Sequence, residues 1–164
     1  MKRTISVLAW IAIAIMASAP ATAQIGRRFP SERKVINDPK TGVELIFLTS
    51  QSGTGDSKIY QTHNQWTSDG KWVIFRSDRV PGEAMAVHEE SGDIVQVTEG
   101  GFSGMLCVAR HSMHLYYMRP VQKAREKSKE RSREREMEVV EIDLERLFAD
   151  SEADNLKKKK HYER

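Results

Sequence analysis

One cysteine, Cys107, stands in 164 residues, so no disulfide can form within the chain. Small extracellular domains commonly lean on disulfides when their cores are modest. If this chain is exported, packing must hold it together, which favours a sheet-rich fold. Cys107 lies in the apolar run Met105-Leu106-Cys107-Val108-Ala109, which predicts a buried and inert thiol. No Cys/His pattern suggests nucleophilic catalysis, and no Gly-x-Ser-x-Gly elbow is present. The apolar run 5–17 has 13 residues, short of the roughly 20 that a permanent membrane span needs. The formal net charge is only +3, with 26 Lys and Arg against 23 Asp and Glu. That balance gives no reason to expect a nucleic-acid partner.

What the N-terminus does contain is a three-part signal. Lys2 and Arg3 precede the uncharged run 5–17, and small residues follow, ending in Ala21-Thr22-Ala23. This layout predicts a secretory signal peptide over residues 1–23, cleaved before Gln24. An uncleaved anchor is the alternative. Cleavage removes two positive charges and brings the net charge to +1. A periplasmic or secreted protein is expected, with no membrane association after cleavage.

The rest of the chain reads as short strands and tight turns. Residues 24–40 form a polar lead-in, and residues 43–49 a β-rich run after Asn37-Asp38-Pro39-Lys40-Thr41-Gly42. Strands are expected at 61–66, 72–76, 84–87 and 94–98, separated by Ser68-Asp69-Gly70-Lys71, Pro81-Gly82 and Ser91-Gly92-Asp93. Asp-Gly and Ser-Gly between β-branched and aromatic runs are hairpin signals. Four antiparallel strands then make one meander. The run from Trp72 to Phe75 is apolar on both faces, as a strand buried between neighbouring blades would be. The pattern restarts at 105–109, and Leu115-Tyr116-Tyr117-Met118-Arg119 echoes Trp72-Val73-Ile74-Phe75-Arg76. Arg76 and Arg119 are 43 residues apart, within the repeat range of propeller blades. A small antiparallel domain with a fortuitous echo is the alternative.

The fold class predicted is therefore all-β, built of β-propeller blades. Residues 58–100 form one complete blade and 101–148 an incomplete one. Residues 24–57 hold the lead-in and an orphan closing strand. A propeller needs four to eight blades, and four would take roughly 170 residues. Such a chain cannot close a ring alone. It is expected to be a fragment of a longer propeller or to assemble with other chains, truncation being the simpler reading. Residues 123–136 carry seven Lys or Arg and four Glu, and predict a solvated insertion within the second blade. The run has no interleaved aromatics, which again argues against nucleic acid. A third strand follows at 139–144, and 149–164 reads as a loose basic tail.

The stretch Gln65-Trp66-Thr67-Ser68-Asp69-Gly70-Lys71-Trp72-Val73-Ile74-Phe75-Arg76-Ser77-Asp78-Arg79 resembles the repeat of TolB-type propellers. A narrower resemblance covers about 80 residues, from Thr41 to Pro120. Asp38-Pro39-Lys40-Thr41-Gly42, the strand ending in Leu48-Thr49, Tyr60-Gln61-Thr62-His63 and Leu115-Tyr116-Tyr117-Met118 resemble the oligogalacturonate lyases. That resemblance implies a seven-bladed propeller acting on short pectin fragments by β-elimination. It also implies a divalent metal, typically manganese, held by histidines in later blades that this chain does not contain. No metal ligand is carried over to His111, His114 or His161. Three residues are candidate binders of the substrate carboxylate: His63, expected on an innermost strand, and Arg76 and Arg79 at the end of the second strand. The bland readings are a hydrogen-bonded strand histidine and surface ion pairs to Asp78 or Glu83. The oligogalacturonate reading implies a chain inactive alone. The alternatives are a non-catalytic, TolB-like binder of a protein or peptide and the propeller of a prolyl-oligopeptidase-type enzyme.

Overall fold

The computed structural model describes residues 23–121 and 136–164. All of the expected signal segment but Ala23, and nearly all of the charged insertion, lie outside the described residues. Among the described residues the strands are β1 Arg28–Phe29, β2 Lys34–Asn37, β3 Glu44–Phe47, β4 Ser57–Lys58, β5 Trp72–Arg76, β6 Ala84–His88, β7 Ile94–Gln96, β8 Ser103–Val108, β9 His114–Pro120 and β10 Met137–Asp143. Helix α1, Leu144–Glu152, follows β10 directly, and a single 3-10 turn spans Lys159–His161.

The first blade is an antiparallel sheet in the order β1-β7-β6-β5-β4. Its Asp-Gly turn forms as the sequence demands. The Asp69 carboxylate accepts from the Lys71 N–H and the Thr67 hydroxyl, at 3.1 and 2.6 Å, and Gly70 takes the positive φ. The innermost strand differs from expectation. Only Ser57 and Lys58 pair with Arg76 and Phe75, and a lone bridge joins Trp66 to Val73. The chain between them bows out of the sheet, so 61–66 is not a strand. Local bonds explain this: the Asn64 amide holds Trp66 from both sides, and the His63 N–H donates to the Tyr60 carbonyl. Such side chains offer the backbone an alternative to the ladder.

The lead-in is also more structured than its polarity suggested. β1 pairs with β7 as a fifth strand, and Ile25 is fully buried. β3 does not stand alone either. It forms a separate hairpin with β2, in the register Lys34 to Phe47 and Asn37 to Glu44. The Asp38 carboxylate closes its turn by accepting from the N–H groups of Lys40 and Thr41.

The second blade has the order β10-β9-β8, and β9 occupies the place that β5 holds in the first blade. The expected loose tail is instead part of this sheet. Glu141 exchanges backbone bonds with Arg164 at 3.0 and 2.9 Å, and the Asp143 N–H donates to the Tyr162 carbonyl. Residues 162–164 thereby supply a fourth strand position. Helix α1 was not expected, although its signals are present. Asp143 caps it by accepting from the Arg146 N–H, and Leu144, Leu147, Phe148 and Ser151 fall on one buried face. That spacing is helical.

The main core lies between the blades. Trp72, Ile74, Ala84, Ala86 and Val95 meet Leu106, Leu115, Tyr117, Val140 and Ile142 there. Phe148 of α1 stacks on Trp72 at 4.1 Å, tying the helix to the first blade. Phe75, Met85, Val87 and Ile94 face the other way, where Phe29 and Leu48 of the lead-in cover them. β5 is thus apolar on both faces because both faces are covered.

Cys107 is exposed, contrary to expectation. Its neighbours Leu106 and Val108 take the buried side of β8, and strand alternation turns the residue between them outward. It belongs to the outer face of the second blade with Met105, Met118 and Val139, which are 54, 44 and 69% exposed. Trp72, Phe75 and Tyr117 are buried, and Tyr116 is half-buried. Contiguous apolar surface of this kind promotes association. The double variant Met118→Lys/Val139→Lys is expected to raise the soluble, monomeric fraction, read by light-scattering-coupled gel filtration. An unchanged distribution would mean that this face drives no association.

Candidate functional site

The two candidate arginines, three residues apart, have different surroundings. Arg76 ends β5 and reaches across to the second blade, where its Nη2 donates to the Gly104 carbonyl at 2.9 Å. Its guanidinium lies 5.7 Å from the Phe102 ring centroid. The Arg76 Nε is buried, has no acceptor among the described residues, and no carboxylate among them pairs with this side chain. A buried donor left unpaired is costly. The enclosed Nε is closed to a ligand, but the guanidinium charge as a whole has no carboxylate partner among the described residues.

Arg79 is already satisfied. Its side chain is 4% exposed and donates to both oxygens of Glu32 at 2.7 Å, to Asp56, and to the Ser77 hydroxyl at 2.7 Å. Burial alone would raise both carboxyls. Hydrogen bonds from Arg79 outweigh it, joined at Glu32 by the Gln51 and Ser50 amides and at Asp56 by Ser77 and Thr49, and hold both groups below their ordinary values. Burial would lower Arg79, but its two carboxylate partners keep it raised. The partners are Glu32 and Asp56, neither of the two that the sequence suggested. The triad clips the lead-in to the end of the first blade.

His63 sits on the excursion that replaces the innermost strand. It is half-buried, with its ring edge-on to Tyr60 at 5.1 Å and its Nδ1 3.4 Å from the Thr62 hydroxyl. Tyr60 and Trp66, on the same excursion, are 48 and 40% exposed. Exposed rings beside a histidine are usable contact surface. The sequence reading used both aromatics only as marks of the repeat.

Arg119, the counterpart of Arg76 in the second blade, is consumed in another cluster. It binds both oxygens of Glu163 at 2.6 and 2.9 Å, Glu138 at 2.5 Å and the Glu99 carbonyl at 3.2 Å. The Glu163 hydrogen bond raises Arg119 above its ordinary value despite partial burial. Equivalent positions in the repeat thus diverge: one arginine locks its blade, and the other has no carboxylate partner among the described residues.

Among the described residues, no three His, Cys, Asp or Glu side chains come together in a group that could hold a metal ion. The described residues do not fit manganese, and no chemical step is assigned to it here. Of two clefts formed by described residues, neither is lined by His63, Arg76 or Arg79. One, of about 400 Å³, lies at the Trp72 end of β5 against α1, among Lys71, His88, Asp93 and Glu145. The other, of about 590 Å³, lies between the start of the lead-in and the lysines at 157–160.

No protein-family model matches the chain, and no curated protein sequence does either. Solved structures do. An oligogalacturonate lyase from Vibrio parahaemolyticus superposes with a TM-score of 0.56 at 19% identity, over 76% of this chain and 30% of the lyase. An oligogalacturonate lyase in complex with manganese gives a TM-score of 0.56 at 16% identity, with the same coverage. The chain spans about three tenths of the length of these relatives. At such identities the likeness speaks for the fold, and the chain is all-β, folded as consecutive propeller blades in the manner of the oligogalacturonate lyases.

Proposed function

We propose that this chain forms two blades of an exported, oligogalacturonate-lyase-like propeller and supplies a carboxylate-binding part of its wall, without turning over substrate alone. The observation that carries this reading is Arg76. Its guanidinium reaches from the first blade to the Gly104 carbonyl of the second, and no carboxylate among the described residues pairs with its charge. Guanidinium is suited to uronate carboxylates because its fork matches their geometry. His63, Tyr60 and Trp66 add a polar group and two ring faces on the neighbouring excursion. The structural likeness to oligogalacturonate lyases supports a role in the same chemistry.

Elimination across a uronate removes the proton beside the carboxylate. A cation must therefore neutralise that carboxylate while a base takes the proton. Arg76 can serve the first need, and Arg79, held by Glu32 and Asp56, cannot. Oligogalacturonate added to the protein is expected to bind weakly in calorimetry. Arg76→Gln should weaken it roughly ten- to a hundredfold, the worth of a hydrogen bond to a charged group. The same protein is expected to produce no ultraviolet-absorbing unsaturated uronate, with or without manganese. Product growth would overturn the inactivity. Binding unchanged in Arg76→Gln would remove Arg76 from the site, and no binding at all would favour a protein-binding module.

A further inference from the structure

We infer that the lysine groove beside Ala23 is a contact site for an anionic membrane surface. The groove, of about 590 Å³, is formed by Lys157, Lys158, Lys159 and Lys160 with Leu156 and Ala23. Among the described residues, none of the four lysines takes part in a salt bridge. The one carboxylate at the groove, Glu99, is engaged from the other side, accepting from the Ile25 N–H at 3.0 Å. The Lys157 backbone is fixed by the Tyr162 hydroxyl at 2.8 Å, so the cluster has a set position. Four adjacent ammonium groups without carboxylate partners create a local field that attracts anions.

The choice of a membrane rests on where the groove lies, and on the export reading. Ala23 lines it, and the apolar run 5–17 ends six residues earlier. Six residues span at most about 22 Å when fully extended. While the precursor is held by that run, the lysines are therefore within reach of the headgroups on the exported side. Basic residues next to a membrane-embedded segment are attracted by anionic lipid. Among the described residues no helix is long and apolar enough to cross a membrane. Charge also survives processing, since Lys157 to Lys160 stay with the chain after residues 1–23 are removed. This proposal departs from the sequence expectation of no membrane association after cleavage.

The test is flotation of the processed protein, beginning at Gln24, on phosphatidylcholine vesicles with and without phosphatidylglycerol. Flotation separates lipid-bound protein from aggregates, which sink. Binding is expected only with phosphatidylglycerol and should be released by high salt. Each lysine changed to glutamine should lower partitioning about fivefold. Equal binding to neutral vesicles, or an undiminished Lys157→Gln/Lys158→Gln/Lys159→Gln/Lys160→Gln variant, would overturn the proposal. So would binding of soluble polygalacturonate through these lysines without any flotation, which would assign the groove to a soluble polyanion. Export is checked separately by N-terminal sequencing. If the native chain proves unprocessed, the cleavage reading fails, and flotation of protein produced from Gln24 still decides the groove.

Discussion

Arg79→Met is expected to lower the unfolding free energy by about 3–5 kcal/mol, because it strands Glu32 and Asp56 as uncompensated charges in a largely buried site. Both carboxylates are under a fifth exposed, at 14 and 16%. The measurement is the shift in urea midpoint at unchanged slope. Arg79→Lys keeps the charge but loses the two-pronged contact with Glu32, and should fall between wild type and Arg79→Met. The triple variant Arg79→Met/Glu32→Gln/Asp56→Asn should regain most of the loss, since no charge is left unpaired. A triple variant as unstable as Arg79→Met would show that packing, not charge, fixes this corner.

The pH dependence has a definite sign. Glu32 and Asp56 are held below their ordinary values in the folded protein. Their contribution is therefore fully present above the unfolded values of about 4. It is lost as the pH falls through the lower folded values. In Arg79→Met the same carboxyls gain from protonation. The stability gap between wild type and variant should narrow below about pH 4. A gap constant from pH 7 to pH 3 would sink the ion-triad account.

Tyr162→Ala should cost a similar amount, about 3–5 kcal/mol, in the manner of large aromatic truncations. The ring is 1% exposed, and its hydroxyl donates to Asp150 at 3.0 Å while accepting from the Lys157 N–H at 2.8 Å. Burial raises the hydroxyl above its ordinary pKa, so it stays protonated and able to donate. Tyr162→Phe keeps the packing but leaves the Lys157 N–H without its partner, a loss of about 1–3 kcal/mol. Hydrogen exchange gives a local readout. The Asp143 and Glu141 amides donate to the carbonyls of Tyr162 and Arg164, so both should exchange faster in Tyr162→Ala. Protection unchanged at both amides would mean that the strand pairs without its anchor.

The parts of the fold readable from sequence were those set by local rules. The Ser68-Asp69-Gly70-Lys71 turn and the doubly apolar run from Trp72 to Phe75 need only nearby residues to be recognised. The echo of Arg76 at Arg119 carried the blade repeat. Partnerships between distant residues were hidden. Nothing near Tyr162 announces that it completes a strand ladder with residues 141–143, and a lysine-rich tail ordinarily reads as solvated. Helix α1 was legible in principle, through Asp143 as cap and the Leu144, Leu147, Phe148, Ser151 spacing. It was overlooked because the run joins a strand without a break. At the candidate site, residue type and position picked out both arginines. Only three-dimensional structure could tell them apart, since the carboxylates that occupy Arg79 lie 23 and 47 residues before it.

The closing of the second sheet by residues 162–164 bears on the order of synthesis. The first sheet receives its last strand from the earlier side: β1 is already made when β7, its partner, emerges 66 residues later. That sheet can be complete once residue 96 has left the ribosome. The second works in the opposite direction. β10 is finished at Asp143, yet its outer neighbour follows only after α1 and the 3-10 turn have been translated. Throughout that interval the β10 edge has no partner from the C-terminal side, and an open edge invites pairing with other nascent chains. A pause in translation between residues 144 and 161 would therefore prolong the aggregation-prone stage, whereas a pause after residue 96 would leave a finished sheet waiting.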